Sequence, residues 1–162
     1  SYEAINDNIR KYNKLKLNIN TNFDFNFLIE SLPKSLDKEK PDVIFNALHG
    51  NWGEDGTVSA LFDLLQIPYT HSGMLASAIG MNKYICKLIA KNCGIRTASS
   101  QKTTAKDYYS SGTIIEYPYV VKPVSDGSSV GVFIVNNQED AILVKYKNPD
   151  TEILIEKYVF RE

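Results

Sequence analysis

The stretch HGNWGEDG, residues 49–56, follows directly on the apolar run PDVIFNAL, residues 41–48. It places an imidazole, an indole, two adjacent carboxylates and three glycines within eight residues, more chemistry and more backbone freedom than a simple connector needs. An apolar run bounded by Pro41 and a glycine-rich loop has the pattern of a strand buried on both faces of a parallel sheet. The next segment, TVSALFDLL, shows helical spacing, with Thr57 as candidate N-cap behind Gly56. IPYT then reads as a second strand. Strand, helix and strand at these spacings form a βαβ unit, and ligands gather at the carboxyl ends of the strands in such sheets.

Further along, MLASAIG and MNKYICKLIAKNC read as consecutive helices, the second stopping at Gly94, a good left-handed C-cap. After Gly94 the texture changes. TASSQKT, YPYVVKP, GVFIV and TEILIEKYV read as strands and QEDAILVKYK as a helix, which describes an α+β module with an antiparallel sheet. A domain boundary is expected near residue 80, giving domains 1–79 and 80–162. Toward the N-terminus, Ile5, Ile9 and Tyr12 stand at helical spacing, and residues 13–40 read as loop with a short helix around FDFNFLIESL. Both ends of the chain are expected to be incomplete.

Composition narrows the possible functions. Of 162 residues, 43% are hydrophobic and 23% charged, ordinary for a globular protein of one or two compact domains. Eighteen Lys and Arg against nineteen Asp and Glu leave a formal charge of −1, without the basic field that neutralises a nucleic-acid backbone. No apolar run reaches the length of a membrane span, and SYEAINDNIRKYNK lacks the build of a signal peptide. The expectation is a cytoplasmic protein with neither nucleic-acid nor membrane partner. Cys86 and Cys93, with no C-x-x-C motif, support neither a disulfide framework nor a zinc cluster and are expected to be reduced, packed thiols.

In the second module, VVKPVSDGSSVGVFIV (residues 120–135) has two β-rich runs around a Ser/Gly/Asp loop longer than a tight hairpin requires. Gly127 and Gly131 allow positive φ, Ser128 and Ser129 add hydroxyls, and Lys122 adds a point charge, so the loop could form an anion nest over a polyphosphate. Taken alone it reads rather as a flexible hairpin with a solvated lysine, for neither the phosphate-loop nor the dinucleotide-binding glycine pattern occurs in the chain.

Taken together, HGNWGEDGTVSA, GMNKYICKLIAKNCGI, YPYVVKPVSDGSSVGV and ILIEKYV resemble, in order and spacing across residues 42–162, the D-alanine–D-alanine ligases of the ATP-grasp superfamily. The block H-G-x-x-G-E-D-G is the most specific of these. The resemblance implies an α/β fold of ATP-grasp type: an N-terminal parallel, Rossmann-like α/β domain followed by an α+β ATP-binding subdomain. It implies an ATP-dependent, ADP-forming ligase that joins two D-alanine molecules through an acylphosphate for peptidoglycan precursor and cell-wall synthesis, and a homodimer.

By position, the resemblance implies that Lys83 and Lys122 contact ATP phosphates and that Ser128, Ser129 and Val130 lie in the loop closing over them. Glu156, with the backbone of Lys157 and Val159, would read the adenine edge, and Glu162 would approach the ribose. His49 would meet the first D-alanine or its developing phosphate, Glu54 would orient neighbouring polar groups, and Ser128 would also position substrate. Asp55 reads as a charge at a helix N-terminus, Trp52 as a packing residue, and His71 as local variation where the family more often has glycine. No metal ligand is assigned to this chain. The Mg2+ carboxylates are expected in a C-terminal region beyond it, as a substrate-binding glutamate is expected before it. Another ATP-grasp carboxylate–amine ligase, or a nucleotide-binding module without catalysis, remains an alternative.

Overall fold

A computed structural model describes residues 30–39, 41–125 and 131–160. The chain divides into two compact units, Ser1–Lys40 and Pro41–Glu162. The described part of the first is one helix, α1 (Leu32–Glu39), where loop was expected. It buries Leu32 and Leu36, one turn apart on a single face. Pro33 falls in its first turn, where a missing N–H costs little. The helix expected at Ile5–Tyr12 and residues 23–29 of FDFNFLIESL lie outside the described residues.

The second unit opens with the apolar run 41–48. It does not form the two-sided strand expected of it. Ile44 makes an isolated parallel bridge to Tyr69, in which its N–H donates to the Pro68 carbonyl at 2.8 Å and its carbonyl accepts from the Thr70 N–H at 3.0 Å. Val43 and Phe45 are exposed. Hydrophobicity announces burial on two faces, but among the described residues only segment 68–70 lies alongside, on one edge.

Three helices follow: α2 (Thr57–Leu64), α3 (Met74–Met81) and α4 (Lys83–Asn92). Thr57 is the first residue of α2 rather than its cap; the N-cap is Gly56 at φ 92°. Glycine is required there, because the angle is left-handed and a Cβ would run into the Met74 carbonyl. The buried Ser59 and Ser77 hydroxyls donate to one carbonyl, Ser72, at 3.3 and 3.1 Å, tying α2 and α3 to the intervening turn. The end of α4 follows the expectation. Gly94 takes φ 76°, its N–H donates to the Lys91 carbonyl, and the Ile95 N–H reaches Ala90 at 2.9 Å, a Schellman closure. The cysteines depart from it: both are free and exposed. Helix α4 buries no residue; periodicity marks its apolar side but not whether anything covers that side.

The rest of the unit is the antiparallel sheet expected after Gly94. Its strands are β1 (Ser100–Thr104), β2 (Tyr119–Pro123), β3 (Phe133–Val135) and β4 (Glu152–Lys157), in the order β1-β4-β2-β3. Two short helices accompany it, α5 (Ala105–Ser111) and α6 (Gln138–Leu143). The strand pattern from TASSQKT onward does not announce α5. It starts on a capping pair, in which Thr104 Oγ1 accepts from the Asp107 N–H at 3.1 Å and donates to Asp107 Oδ2 at 2.8 Å. Helix α6 is shorter than expected because Val144 turns to an extended conformation and enters the core.

Alternation gives the sheet two distinct faces. One carries Tyr119 and Val121 of β2, Val135 of β3 and Ile153 and Ile155 of β4, clustered with Tyr108 of α5 and Val144 after α6. The Tyr108 and Tyr119 hydroxyls share a buried hydrogen bond at 3.0 Å, and Tyr117 stacks on Tyr119. Burial, followed by the neighbouring phenols, drives the Tyr119 pKa far upward, so its hydroxyl stays neutral. On the other face the register aligns Ser100 with Glu156 and Lys102 with Leu154, and Val120 with Glu156 and Lys122 with Leu154. Lys102, Lys122 and Glu156 therefore lie opposite the core.

Candidate functional site

Two groups of side chains stand out in the second unit. The first is built by the loop 49–56 itself. Asn46, at the end of the apolar run, accepts from the Leu48 N–H at 3.1 Å and donates to the Gly53 carbonyl at 3.0 Å, bridging the two ends of the turn. Glu54 Oε2 accepts from the Gly50 N–H at 2.7 Å, while Glu54 Oε1 lies 3.7 Å from His49 Nδ1. The His49 side chain is 90% exposed, so the loop holds an imidazole in solvent with a carboxylate beside it. Asp55 accepts from the Trp52 N–H at 2.8 Å and the Thr57 N–H at 2.9 Å. Burial is the largest influence on Asp55 and raises its pKa, but these backbone hydrogen bonds outweigh it and leave the carboxyl more acidic than usual. Trp52 adopts φ 68°, an unusual angle for a bulky residue and one that the dense local hydrogen bonding sustains.

The second group lies on the polar face of the sheet. Lys122 of β2 pairs with Glu156 Oε2 of β4. Lys87 of α4 reaches Glu156 Oε1 at 2.6 Å and donates to the Ala98 carbonyl at 2.7 Å. The three side chains are 25%, 13% and 12% exposed for Lys122, Glu156 and Lys87 respectively. Burial is again the largest influence on Glu156 and pushes its pKa up; the two ammonium groups outweigh it and hold the carboxyl below the ordinary value. Lys83 opens α4, and its backbone N–H donates to the Val124 carbonyl at 2.9 Å just past the end of β2, so the helix start is fastened beside Lys122. Asn82 caps the helix by accepting from the Ile85 N–H at 3.0 Å.

The structure thus brings Lys122 and Glu156 into direct contact and ties the backbone of Lys83 to the strand that carries Lys122. Lys157, the next residue of β4, falls on the opposite face; its ammonium donates to the Glu116 and Tyr117 carbonyls at 3.3 and 3.1 Å, and its backbone N–H to Ser99 at 3.0 Å. Val159 lies beyond the strand and is exposed. Ser128, Ser129, Val130 and Glu162 lie outside the described residues. Gly131, at the far side of their loop, is anchored by the Tyr146 hydroxyl, which donates to its carbonyl at 2.6 Å. His71 lies 3.1 Å from the Ser72 carbonyl and 3.4 Å from the Ser77 hydroxyl.

Two residues of these groups were not singled out from the sequence. Asn46 gave no signal, since its role depends on a turn that folds back seven residues later. Lys87 did give one, because it stands four residues after Lys83 and so shares a helix face with it. Among the described residues no group of three or more His, Cys, Asp or Glu could hold a metal ion, so these side chains do not fit the magnesium that the resemblance implies. No helix among them is long and apolar enough to cross a membrane.

The family described as D-ala D-ala ligase N-terminus matches residues 3–72, and D-ala D-ala ligase C-terminus matches residues 89–162. The chain is 47% identical over 126 residues to the D-alanine–D-alanine ligase of Parvibaculum lavamentivorans, covering 75% of this chain and 41% of that protein. It is 44% identical over 128 residues to the enzyme of Agrobacterium fabrum, covering 76% and 41%. Among solved structures, D-alanine–D-alanine ligase from Bacillus anthracis aligns with a TM-score of 0.67 at 38% identity, over 78% of this chain and 44% of that one. The VanG D-Ala:D-Ser ligase of Enterococcus faecalis aligns with 0.62 at 30% identity, over 74% and 37%. The chain spans about two fifths of the length of the curated relatives it matches. With both domain families matched in sequence order and the same fold in the solved relatives, the chain belongs to the D-alanine–D-alanine ligase family, of ATP-grasp fold.

Proposed function

We propose that the protein carrying this chain is an ATP-dependent ligase that condenses two D-alanine molecules for peptidoglycan precursor synthesis. The observation that carries this reading is the Lys122–Glu156–Lys87 cluster on the polar face of the sheet, fastened to the start of α4 beside Lys83. It is a largely buried site of net positive charge, and its Lys122 stands in the strand that precedes a serine- and glycine-rich segment in the sequence, which suits a polyphosphate.

The reaction balances in two steps. A carboxylate oxygen of the first D-alanine attacks the γ-phosphorus of ATP, forming an acylphosphate and releasing ADP. The free amine of the second D-alanine attacks the acyl carbon, a proton leaves the nitrogen, and phosphate departs as the peptide bond forms. Such chemistry depends on positioning and charge stabilisation. Lys83 and Lys122 balance the phosphate charge, with Ser128, Ser129 and Val130 closing over it. Glu156 and the backbone of Lys157 and Val159 face the adenine edge, and Glu162 the ribose. His49, exposed and held by Glu54, meets the first D-alanine as its phosphate develops; Ser128 also positions substrate. Residues 1–79 are read as the substrate-side domain and 80–162 as the ATP-binding subdomain, in a cytoplasmic homodimer.

The test uses a ligase of the relatives' full length that contains these residues. It should release phosphate from ATP only when D-alanine is present and form D-alanyl-D-alanine in equal amount. ATP hydrolysis without dipeptide, or no dependence on D-alanine, would overturn the reading. Lys122→Ala should weaken ATP binding by about tenfold or more, the loss of one charge-assisted contact of roughly 1.5 to 3 kcal/mol. Calorimetry on the folded variant reads it directly.

A further inference from the structure

Lys87 belongs to none of the roles assigned above, yet it is the less exposed of the two cations on Glu156. Its ammonium is held at two points, by Glu156 Oε1 at 2.6 Å and by the Ala98 carbonyl at 2.7 Å. The carboxylate is thereby divided: one oxygen faces Lys87, the other Lys122. One negative charge between two positive ones leaves a net charge of +1, in surroundings where water screens little.

We propose that Lys87 is a positioning residue that occupies half of the Glu156 carboxylate and so keeps the Lys122 ammonium available to the phosphates of an incoming nucleotide. This rests on the reading of Lys122 as a phosphate ligand. Without Lys87 the cluster would be a neutral Lys122–Glu156 pair, and a polyphosphate would have to displace a buried carboxylate to engage Lys122. With Lys87 in place, Glu156 remains satisfied while Lys122 turns toward the ligand. The lowered pKa of Glu156 agrees with this, since both lysines stabilise its anion. Helix geometry serves the same end: Lys83 and Lys87 lie one turn apart on α4, and the Lys83 N–H fixes that helix to the end of β2.

The test is made on the full-length ligase with Lys87→Gln, which keeps a donor for Ala98 and loses the charge. KM for ATP should rise about three- to tenfold, while kcat and KM for D-alanine stay within about twofold. Lys87→Arg should restore KM for ATP. On a Glu156→Gln background, Lys87→Gln should add no further loss, whereas a direct attraction of the Lys87 charge for the phosphates would add the same loss as before. Inorganic tripolyphosphate, which has no adenine, isolates the phosphate contact: as a competitor of ATP it should bind more weakly to Lys87→Gln and more tightly to Glu156→Gln. The latter measurement stands even if Lys87→Gln fails to fold. Unchanged KM for ATP in Lys87→Gln, equal loss on the Glu156→Gln background, or weaker tripolyphosphate binding by Glu156→Gln would each overturn the inference. If Lys122→Ala weakens ATP binding while Lys87→Gln does not, this inference fails alone; if Lys122→Ala has no effect, the phosphate reading fails and this falls with it.

Discussion

Glu156 shows how one side chain can be tuned by its neighbours. Its folded pKa lies below the ordinary value of 4.5 because two ammonium groups outweigh the burial that would raise it. A carboxyl that is more acidic in the folded state than in the unfolded one adds stability at pH values above its unfolded pKa, and that stability is lost as the pH falls through the folded value. The destabilisation seen on going from neutral pH to below about 4.5 should therefore be smaller in Glu156→Gln than in the parent, as read from urea midpoints at the two pH values. The serine loop gives a second test at this scale. If Ser128 positions substrate as well as phosphate, Ser128→Ala should lower dipeptide formation more than ATP affinity, because the lost contact counts most at the transition state. Ser129→Ala is the comparison, and equal losses of rate and affinity in Ser128→Ala would confine Ser128 to nucleotide binding.

The elements depend on two kinds of interaction, and each has its own cost when removed. Helix α5 begins at the Thr104–Asp107 pair and carries Tyr108 into the core. Thr104→Ala removes the cap and should cost about 1 kcal/mol of stability, measured as a shift in the denaturant midpoint without change in slope. Strand β4 is instead held by packing. Ile155, fully buried and paired with Gln101 and Val121 on its two sides, should cost about 2 to 5 kcal/mol on truncation to Ala, the lost transfer energy plus the cavity left behind. A smaller loss would mean that the core closes around the gap. These local devices are unequally legible: Gly94 announces its helix end because glycine takes that left-handed position without a Cβ penalty, whereas Thr57 imitates a cap that it does not form. Gly56 lacks a capping side chain, and the acceptor near the helix start comes from Asp55, whose carboxylate takes the Thr57 N–H.

Across the whole molecule, the sheet order places β4 and β2 inside and β1 and β3 at the edges. Amides of β4 and β2 should therefore exchange with deuterium more slowly than those of β3, three residues long and paired on one side; slower exchange in β3 would mean that its outer edge is covered in solution. The motif blocks and their order, with the β2–loop–β3 pattern around Lys122, were readable from sequence because each is a local string whose spacing carries the family and its fold. The charge on the polar face was readable only in part: Lys122 and Glu156 stand 34 positions apart, and nothing local predicts that β4 inserts between β1 and β2 to join them. The same insertion, with α4 fastened past the end of β2 through the Lys83 N–H, brings Lys87 to the second oxygen of Glu156, while alternation along β4 puts neighbouring Lys157 on the other side. Exposure was likewise decided by tertiary structure. Val43, Phe45, Cys86 and Cys93 read as buried because hydrophobic periodicity reports which side of an element is apolar, while burial depends on a second element lying against that side.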